Sequence, residues 1–141
     1  MCILSCRSCP NKNKMIHEEI TKKIIGSAYT VYNQLGFGFL ESVYKKSLLI
    51  ELAKHGLQVQ EELPITVFYD DLPVGNFFAD LVVEDAVIVE LKAVQNLAAA
   101  HEVQLVNYLT ATKKDTGLLL NFGAKGVEVK RKFRKPRQDV G

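Results

Sequence analysis

Cysteine is missing from residue 10 onward, because all three cysteines lie within the first nine residues. This distribution gives no sign of an oxidising compartment. No apolar run is long enough to cross a membrane, and the first residues lack the long apolar centre of a secretory signal. There is no internal repeat and no linker. We therefore expect one cytoplasmic domain without a membrane partner, since 141 residues suffice for a real core.

The three cysteines, Cys2, Cys6 and Cys9, form a C-x3-C-x2-C pattern. This spacing matches the iron–sulfur ligand loop of radical enzymes that use S-adenosylmethionine, in which three thiolates hold the cluster. Those enzymes have a large barrel after the motif, and this chain has no room for one. Met15 precedes the first helical pattern and is an alternative start. We therefore predict a disordered extension over residues 1–14, with cluster binding as the alternative.

Charge is unevenly distributed along the chain, although its net value is only +2. Residues 15–124 carry eight basic and fourteen acidic side chains, whereas residues 125–141 carry seven basic ones. An acidic body excludes a generic nucleic-acid binder, but the basic end is suited to phosphate contacts. The candidate nucleic-acid-binding residues are Lys130, Arg131, Lys132, Arg134 and Lys135. The alternative is a solvated edge strand protected from aggregation by its charges.

The stretch Phe77–Ala93 is predicted to form two apolar strands joined by a turn at Glu84-Asp85, and three further charged residues interrupt the strands. With a period of two, Asp80, Glu90 and Lys92 share the face opposite the apolar odd-numbered positions. A three-residue connection over positions 84–86 places Asp80 opposite Glu90 on one face. A two-residue turn would send the two carboxylates to opposite faces. We predict the three-residue connection.

Two facing carboxylates beside a lysine form a candidate site for a divalent metal, since hard cations take carboxylate and carbonyl oxygens. The alternative is a solvated strand face with a surface ion pair, which is common and weak. Val82 and Ile88 lie on the same face as the charges, so that face is at least partly covered. Burying unpaired charge there would be costly, which favours the metal site.

Helical and strand periodicities follow one another along the chain. The predicted helices are Ile16–Leu35, Leu40–His55 and Leu97–Thr112, and the predicted strands outside the hairpin are Leu57–Leu63, Ile65–Tyr69, Leu118–Phe122 and Val127–Phe133. Pro73–Phe78 is expected to lead into the hairpin. Glu41 lies in the first turn of the second helix, where the helix dipole favours an acid. His101, Gln104 and Tyr108 lie on one side of the third helix, where packing or surface roles are the default. The fold class is mixed α/β (α+β).

Four motifs occur in a fixed order: Gly38-Phe39-Leu40-Glu41-Ser42-Val43-Tyr44, then Ala79-Asp80 with Glu90-Leu91-Lys92, then His101, Gln104 and Tyr108, then Asn121-Phe122-Gly123. With the order of elements, they resemble the PD-(D/E)XK nuclease superfamily and, more specifically, its GxxExxY family. The resemblance covers about residues 15–133 and implies a restriction-endonuclease-like αβββαβ core. An extra N-terminal helix and a C-terminal strand flank that core, and residues 134–141 form a basic flexible tail.

Two positions depart from the family pattern. Ala79 replaces the proline of the superfamily's Pro-Asp motif, at a position that varies across the superfamily. Phe78 stands near a place where members often carry a basic residue, so one phosphate contact is lost.

The resemblance implies a role for each motif residue. Asp80, Glu90 and the Leu91 backbone carbonyl would bind Mg²⁺ or Mn²⁺, and Glu41 would complete the metal shell. Lys92 would orient the attacking water and stabilise charge on the phosphate, with Gln104 positioning Lys92 or a phosphate oxygen. The supporting residues would be Tyr44, His101 and Tyr108.

The favoured function is a metal-dependent nuclease that hydrolyses phosphodiester bonds in DNA, including branched or damaged DNA, rather than RNA. A bound divalent metal supplies the nucleophile at neutral pH and neutralises developing charge. The alternative is a non-catalytic nucleic-acid-binding or dimeric accessory protein on the same fold, since one fold hosts many functions. A domain of this size needs a second copy to cut both strands, so we expect a homodimer.

Overall fold

The computed structural model describes the backbone of residues 12–134 and the side chains of residues 17–134. It contains three helices, α1 (Lys12–Leu35), α2 (Glu41–Lys54) and α3 (Ala99–Thr112). Five strands complete this part of the chain: β1 (Val59–Tyr69), β2 (Leu72–Val83), β3 (Val87–Lys92), β4 (Thr116–Gly123) and β5 (Gly126–Phe133). The element order confirms the predicted mixed α/β fold. None of the described helices has the length and apolar character needed to cross a membrane.

The five strands form one sheet in the order β1-β2-β3-β4-β5. Only β3 and β4 are parallel among the paired strands of the described chain, and α3 provides the crossover between them. Every residue of β4 is buried, which is typical of a central strand with a continuous apolar run such as Leu118–Leu120. The sheet therefore has a fully covered centre, and β1 and β5 are its edges.

Helices cover both faces of the sheet and divide the core into two clusters. On one face, α1 and α2 pack on β3 and β4 through side chains that include Ile24, Leu48 and Leu91. On the other face, α3 packs through Leu105 and Leu109 on a cluster that includes Val82 and Ile88. Because Val82 and Ile88 are buried beneath α3, the face that carries Glu90 is also a covered face.

The β2–β3 connection has the predicted three-residue register. Val83 pairs with Val87, and Leu81 pairs with Val89. Glu84 and Asp85 both have positive φ values of 53°, and the Ala86 N–H donates to the Val83 carbonyl oxygen to close the turn. This connection places Asp80 and Glu90 at the next position of the same register.

Three predicted boundaries need correction. The strands predicted at 57–63 and 65–69 are one strand, because Pro64 lies on edge strand β1, where a missing N–H donor is tolerated. Pro73–Phe78 likewise belongs to a single long β2. Helix α1 starts at Lys12, since no glycine or proline interrupts residues 12–16. Residues 12–14 of the predicted extension are therefore helical, and residues 1–11, with all three cysteines, lie outside the described residues.

Candidate active site

The carboxylates of Asp80 and Glu90 lie together where β2 and β3 separate. The ladder between these strands ends at Leu81 and Val89. Beyond it, the Asp80 N–H donates to Glu90 Oε1 at 3.1 Å, and the Leu91 N–H donates to Asp80 Oδ2 at 2.9 Å. Each side chain therefore replaces a backbone hydrogen bond of the ladder. This reciprocal pairing holds the two carboxyl groups next to each other.

Burial makes this pair electrostatically unfavourable when both groups are ionised. Glu90 is 6% exposed, and burial raises its pKa to about 8, with the charge of Asp80 as the next contribution. A hydrogen bond between the two carboxyl groups also raises the pKa of Glu90, and the charge of Lys92 lowers it. Glu90 in this environment keeps its proton near neutral pH unless a cation accompanies the pair. The donor set therefore fits a divalent cation.

Glu41 lies at the first position of α2 and faces the same charges. Burial and the charge of Asp80 raise its pKa, whereas Lys92 and Lys45 lower it. Glu41 is nevertheless exposed. Across residues 17–134, no three His, Cys, Asp or Glu side chains are gathered closely enough to hold a metal ion. The structure thus joins Asp80 with Glu90 and leaves Glu41 at the rim.

The loop before α2 is held by the Tyr44 hydroxyl. This group donates to the Gly36 carbonyl oxygen at 2.5 Å and accepts the Phe39 N–H at 3.3 Å. The Tyr44 ring is fully buried and stacks on Phe122, with ring centroids 4.5 Å apart. Gly38 has φ +114°, a conformation that L side chains rarely adopt. Tyr44 and Gly38 together fix the start of α2 and hence the position of Glu41.

Replacing Tyr44 by Phe should destabilise the protein by about 1–3 kcal/mol, because the Gly36 carbonyl and the Phe39 N–H lose a buried partner. The urea midpoint of unfolding should fall with an unchanged slope. Tyr29→Phe is the matched control, since Tyr29 is 46% exposed. Equal midpoints for the two variants would show that the Tyr44 hydroxyl does not hold the loop.

Helix α3 brings one of its three motif residues close to the carboxylates. Tyr108 is 7% exposed, and its pKa is raised by burial and by the charges of Glu90 and Asp80. His101 Nδ1 accepts the Ala98 N–H at 3.2 Å, so this side chain caps the start of the helix. Gln104 is exposed, and among the described residues no hydrogen bond joins it to Lys92.

The basic residues in and after β5 do not all lie on one face of the sheet. Arg131 donates to Thr21 Oγ1 on the α1 side of the sheet, whereas Lys132 pairs with Glu102 of α3 at 2.7 Å. Successive side chains of a strand point to opposite faces, which separates them. Lys130 lies 4.0 Å from Glu128, and Arg134, predicted to begin a flexible tail, binds Asp115 at 2.7 Å. Lys135 lies outside the described residues.

Three residues near the site had no predicted role, namely Asn121, Lys45 and Glu62. Asn121, part of a motif quoted above, is 1% exposed and binds both the N–H and the carbonyl of Val94, each at 2.9 Å. It thereby fixes the segment that follows Lys92. Lys45 on α2 pairs with Glu62 on β1, and its charge acts on Glu41. The four-residue spacing of Glu41 and Lys45 could have predicted that Lys45 lies near the site, because it places both residues on one helix face.

The sequence model of the PD-(D/E)XK nuclease superfamily matches residues 18–133. The chain belongs to the PD-(D/E)XK nuclease superfamily. The match includes every element from α2 to β5 and all of the motif residues named above. The narrower GxxExxY assignment stays a prediction.

Comparison with known proteins adds a likeness of fold. No curated protein matches the sequence. The chain is similar to the crystal structure of SSO0001, with a TM-score of 0.55 and 14% sequence identity. The matched region covers 89% of this chain and 64% of that one. At this identity the likeness concerns the fold alone. PD-(D/E)XK nucleases generally use divalent metals and interact with nucleic acids.

Proposed function

We propose that this member of the superfamily is a metal-dependent nuclease that hydrolyses phosphodiester bonds in DNA with Mg²⁺ or Mn²⁺. The observation that carries the proposal is the Asp80–Glu90 pair, two carboxyl groups held together with the pKa of Glu90 raised to about 8. Lys92 follows two residues after Glu90 on the same strand. A buried pair of acids beside a lysine is a costly arrangement, and such arrangements cluster at functional sites.

Asp80 and Glu90 would hold the ion, with the Leu91 carbonyl as a further ligand. One carboxylate oxygen of each acid binds a backbone N–H, which leaves its other oxygen for a cation. The Leu91 N–H points to Asp80, and in an extended strand the carbonyl of a residue points to the same side as its N–H. Glu41, at the rim, would complete the shell directly or through a water. This oxygen-rich set suits Mg²⁺ or Mn²⁺.

The remaining site residues would act on the phosphate and the attacking water. A bound divalent metal supplies a nucleophile at neutral pH and neutralises charge that develops on the phosphate. Lys92 would orient the water and donate to a phosphate oxygen. The Lys92 charge acts on Glu41 and Glu90, and its side chain is partly exposed, which supports a contact with the phosphate beside these acids. Gln104, exposed on α3, would contact the phosphate from the opposite element.

DNA, including branched or damaged DNA, is the proposed substrate, and a second copy of the chain would be needed to cut both strands. The basic residues of β5 support binding to phosphate at a distance from the carboxylates. Each of the four described basic residues already has a partner within the chain. To bind a DNA phosphate, each would have to exchange that partner for the phosphate.

Purified protein should cut DNA only when Mg²⁺ or Mn²⁺ is present. The assay would incubate labelled single-stranded, duplex and branched DNA, and the same sequences as RNA, with each metal or with EDTA. Products resolved on denaturing gels give the substrate class, and sedimentation gives the oligomeric state. Isothermal calorimetry without DNA measures the metal affinity. Absence of products with every substrate and both metals would refute the proposal.

A non-catalytic nucleic-acid-binding or accessory role is the second candidate. It is favoured by the finding that no third acidic ligand joins Asp80 and Glu90 in residues 17–134. Salt-sensitive DNA binding without metal-dependent products would support this role. A calorimetric metal site lost in both Asp80→Ala and Glu90→Ala would contradict it.

A further inference from the structure

Lys45 lies on α2 near two acids of the site, since its charge acts on Glu41 and that of Asp80 acts on Lys45. It follows Glu41 by four residues, about one helical turn. Its ammonium binds Glu62 Oε1 at 2.5 Å, across to β1. The Lys45 side chain is only 15% exposed, whereas that of Glu62 is 57% exposed. A largely covered lysine is thus neutralised by a partner that stands mostly in solvent.

Glu62 occupies a distinctive place in the sheet. Its neighbours Glu61 and Leu63 pair with Leu81 and Ala79, so Glu62 stands opposite Asp80 in the β1–β2 register. Glu62 itself is not paired there and has a positive φ of 53°, which a non-glycine residue adopts only at a cost. The Lys45–Glu62 pair therefore spans from α2 to β1 directly beside the metal-binding carboxylate.

Negative charge exceeds positive charge around this point. Five carboxyl groups act on one another or on the lysines of the site, namely Glu41, Glu61, Glu62, Asp80 and Glu90. The cations that interact with these carboxyl groups are Lys45 and Lys92. Burial lowers the pKa of Lys45, but the hydrogen bond and charge of Glu62, with Asp80, outweigh it and raise the pKa. Lys45 therefore stays charged in any buffer in which the enzyme would work.

We propose that Lys45 is a second phosphate-binding residue of the active site, which exchanges Glu62 for a backbone phosphate of the bound nucleic acid. This proposal rests on the proposed function. The exchange leaves no covered charge unpaired, because the phosphate replaces Glu62 as the partner of Lys45 while the more exposed Glu62 is hydrated by water. Lysine suits it because its ammonium is a compact charge on a flexible stem. Lys45 approaches from α2 and Lys92 from β3, so the two would contact the strand from separate elements.

Binding of labelled duplex DNA in EDTA, where no cutting occurs, tests the phosphate contact without any need for activity. Lys45→Gln should weaken binding about fivefold or more at low salt, and the slope of log affinity against log salt should become shallower by about 1. Lys45→Arg should keep most of the affinity. Lys46→Gln is the matched control, since Lys46 is the next residue of α2 and is exposed. It should bind like the wild type.

Glu62→Gln separates phosphate binding from a merely structural role. Both Lys45→Gln and Glu62→Gln break the same ion pair, so a structural role predicts that both weaken binding alike. Phosphate binding predicts that Glu62→Gln tightens binding, because it releases Lys45. Glu61→Gln is the charge-matched control, since Glu61 is exposed and adjacent, and it should tighten binding less than Glu62→Gln because it leaves the Lys45–Glu62 pair in place. KM for cleavage should likewise rise in Lys45→Gln and fall in Glu62→Gln.

An unchanged salt slope in Lys45→Gln, or equal weakening in both variants, would overturn the role of Lys45. These results are distinguishable from a failure of the nuclease proposal, which would appear as wild-type protein that binds DNA and never cuts it. Circular dichroism of each variant checks that the fold is retained.

Discussion

Asp80→Asn should abolish measurable metal binding and lower the rate of metal-dependent cleavage by about 10³-fold or more, with the fold intact. The loss is large because Asp80 would supply one of two carboxylates that Glu90 and the sheet hold in place. The fold should survive because an asparagine side-chain oxygen can still accept the Leu91 N–H. The change therefore removes a charge while keeping the hydrogen bond.

The experiment compares Asp80→Asn with Asp115→Asn under single-turnover conditions. Asp115 is a suitable control because it is also an acid in an ion pair, with Arg134, and its side chain is 63% exposed. Calorimetry with Mn²⁺ would accompany the cleavage assay. Cleavage by Asp80→Asn at the wild-type rate, in protein free of contaminating nuclease, would rule out the proposed site.

The sequence was sufficient to predict this pair because the pattern around it is strict. Apolar residues occupy the odd positions of both strands on either side of the turn, and one register buries Leu81, Val83, Val87, Val89 and Leu91 in the same core cluster. A connection with an odd number of residues, or a bulge, brings Asp80 next to Glu90 on one face, whereas a two-residue turn does not. The confirmed register, Val83 opposite Val87, follows from this consistency between strand period and turn length.

Other parts of the site depend on contacts that no local pattern specifies. The ion pair of Lys45 with Glu62 joins residues 17 positions apart and requires a positive φ at a glutamate. Sequence periodicity carries no signal for such a backbone irregularity. Strand period could, by contrast, have predicted the separation of Arg131 from Lys132, because neighbours on a strand point to opposite faces. The prediction of nucleic-acid-binding residues did not use this alternation, which places Arg131 on the opposite face of β5 from Lys130 and Lys132.

Without metal, the protein should become less stable as pH rises from about 5 to about 8. Burial raises the pKa of Glu90 from 4.5 in the unfolded chain to about 8 in the fold. Between these values the folded state holds a proton that the unfolded state has released. Stability is therefore fully present below the unfolded pKa and is lost as pH rises through the folded pKa. The raised pKa of Glu41 also lowers the stability of the folded state as pH rises.

Glu90→Gln should remove most of this pH dependence and stabilise the metal-free protein at pH 8 by about 3–5 kcal/mol. Glutamine resembles the protonated acid: its oxygen can accept the Asp80 N–H, and its amide can donate to the Asp80 carboxylate. At pH 5 the variant and the wild type should be nearly equally stable. Urea unfolding in EDTA at pH 5, 6.5 and 8 gives the midpoints and slopes that measure this difference.

Bound metal should reverse the loss of stability with rising pH in the wild type but not in Glu90→Gln. A divalent cation binds the ionised carboxylates, so Mn²⁺ should stabilise the wild type more at pH 8 than at pH 5, with release of a proton on binding. Glu90→Gln should gain little from Mn²⁺ at either pH. Glu128→Gln, which alters an exposed acid of β5, should follow the wild type throughout. Parallel curves for wild type and Glu90→Gln in EDTA would mean that Glu90 is ionised in the fold. The metal site would then lose its electrostatic basis, because the buried pair would already be stable without a cation.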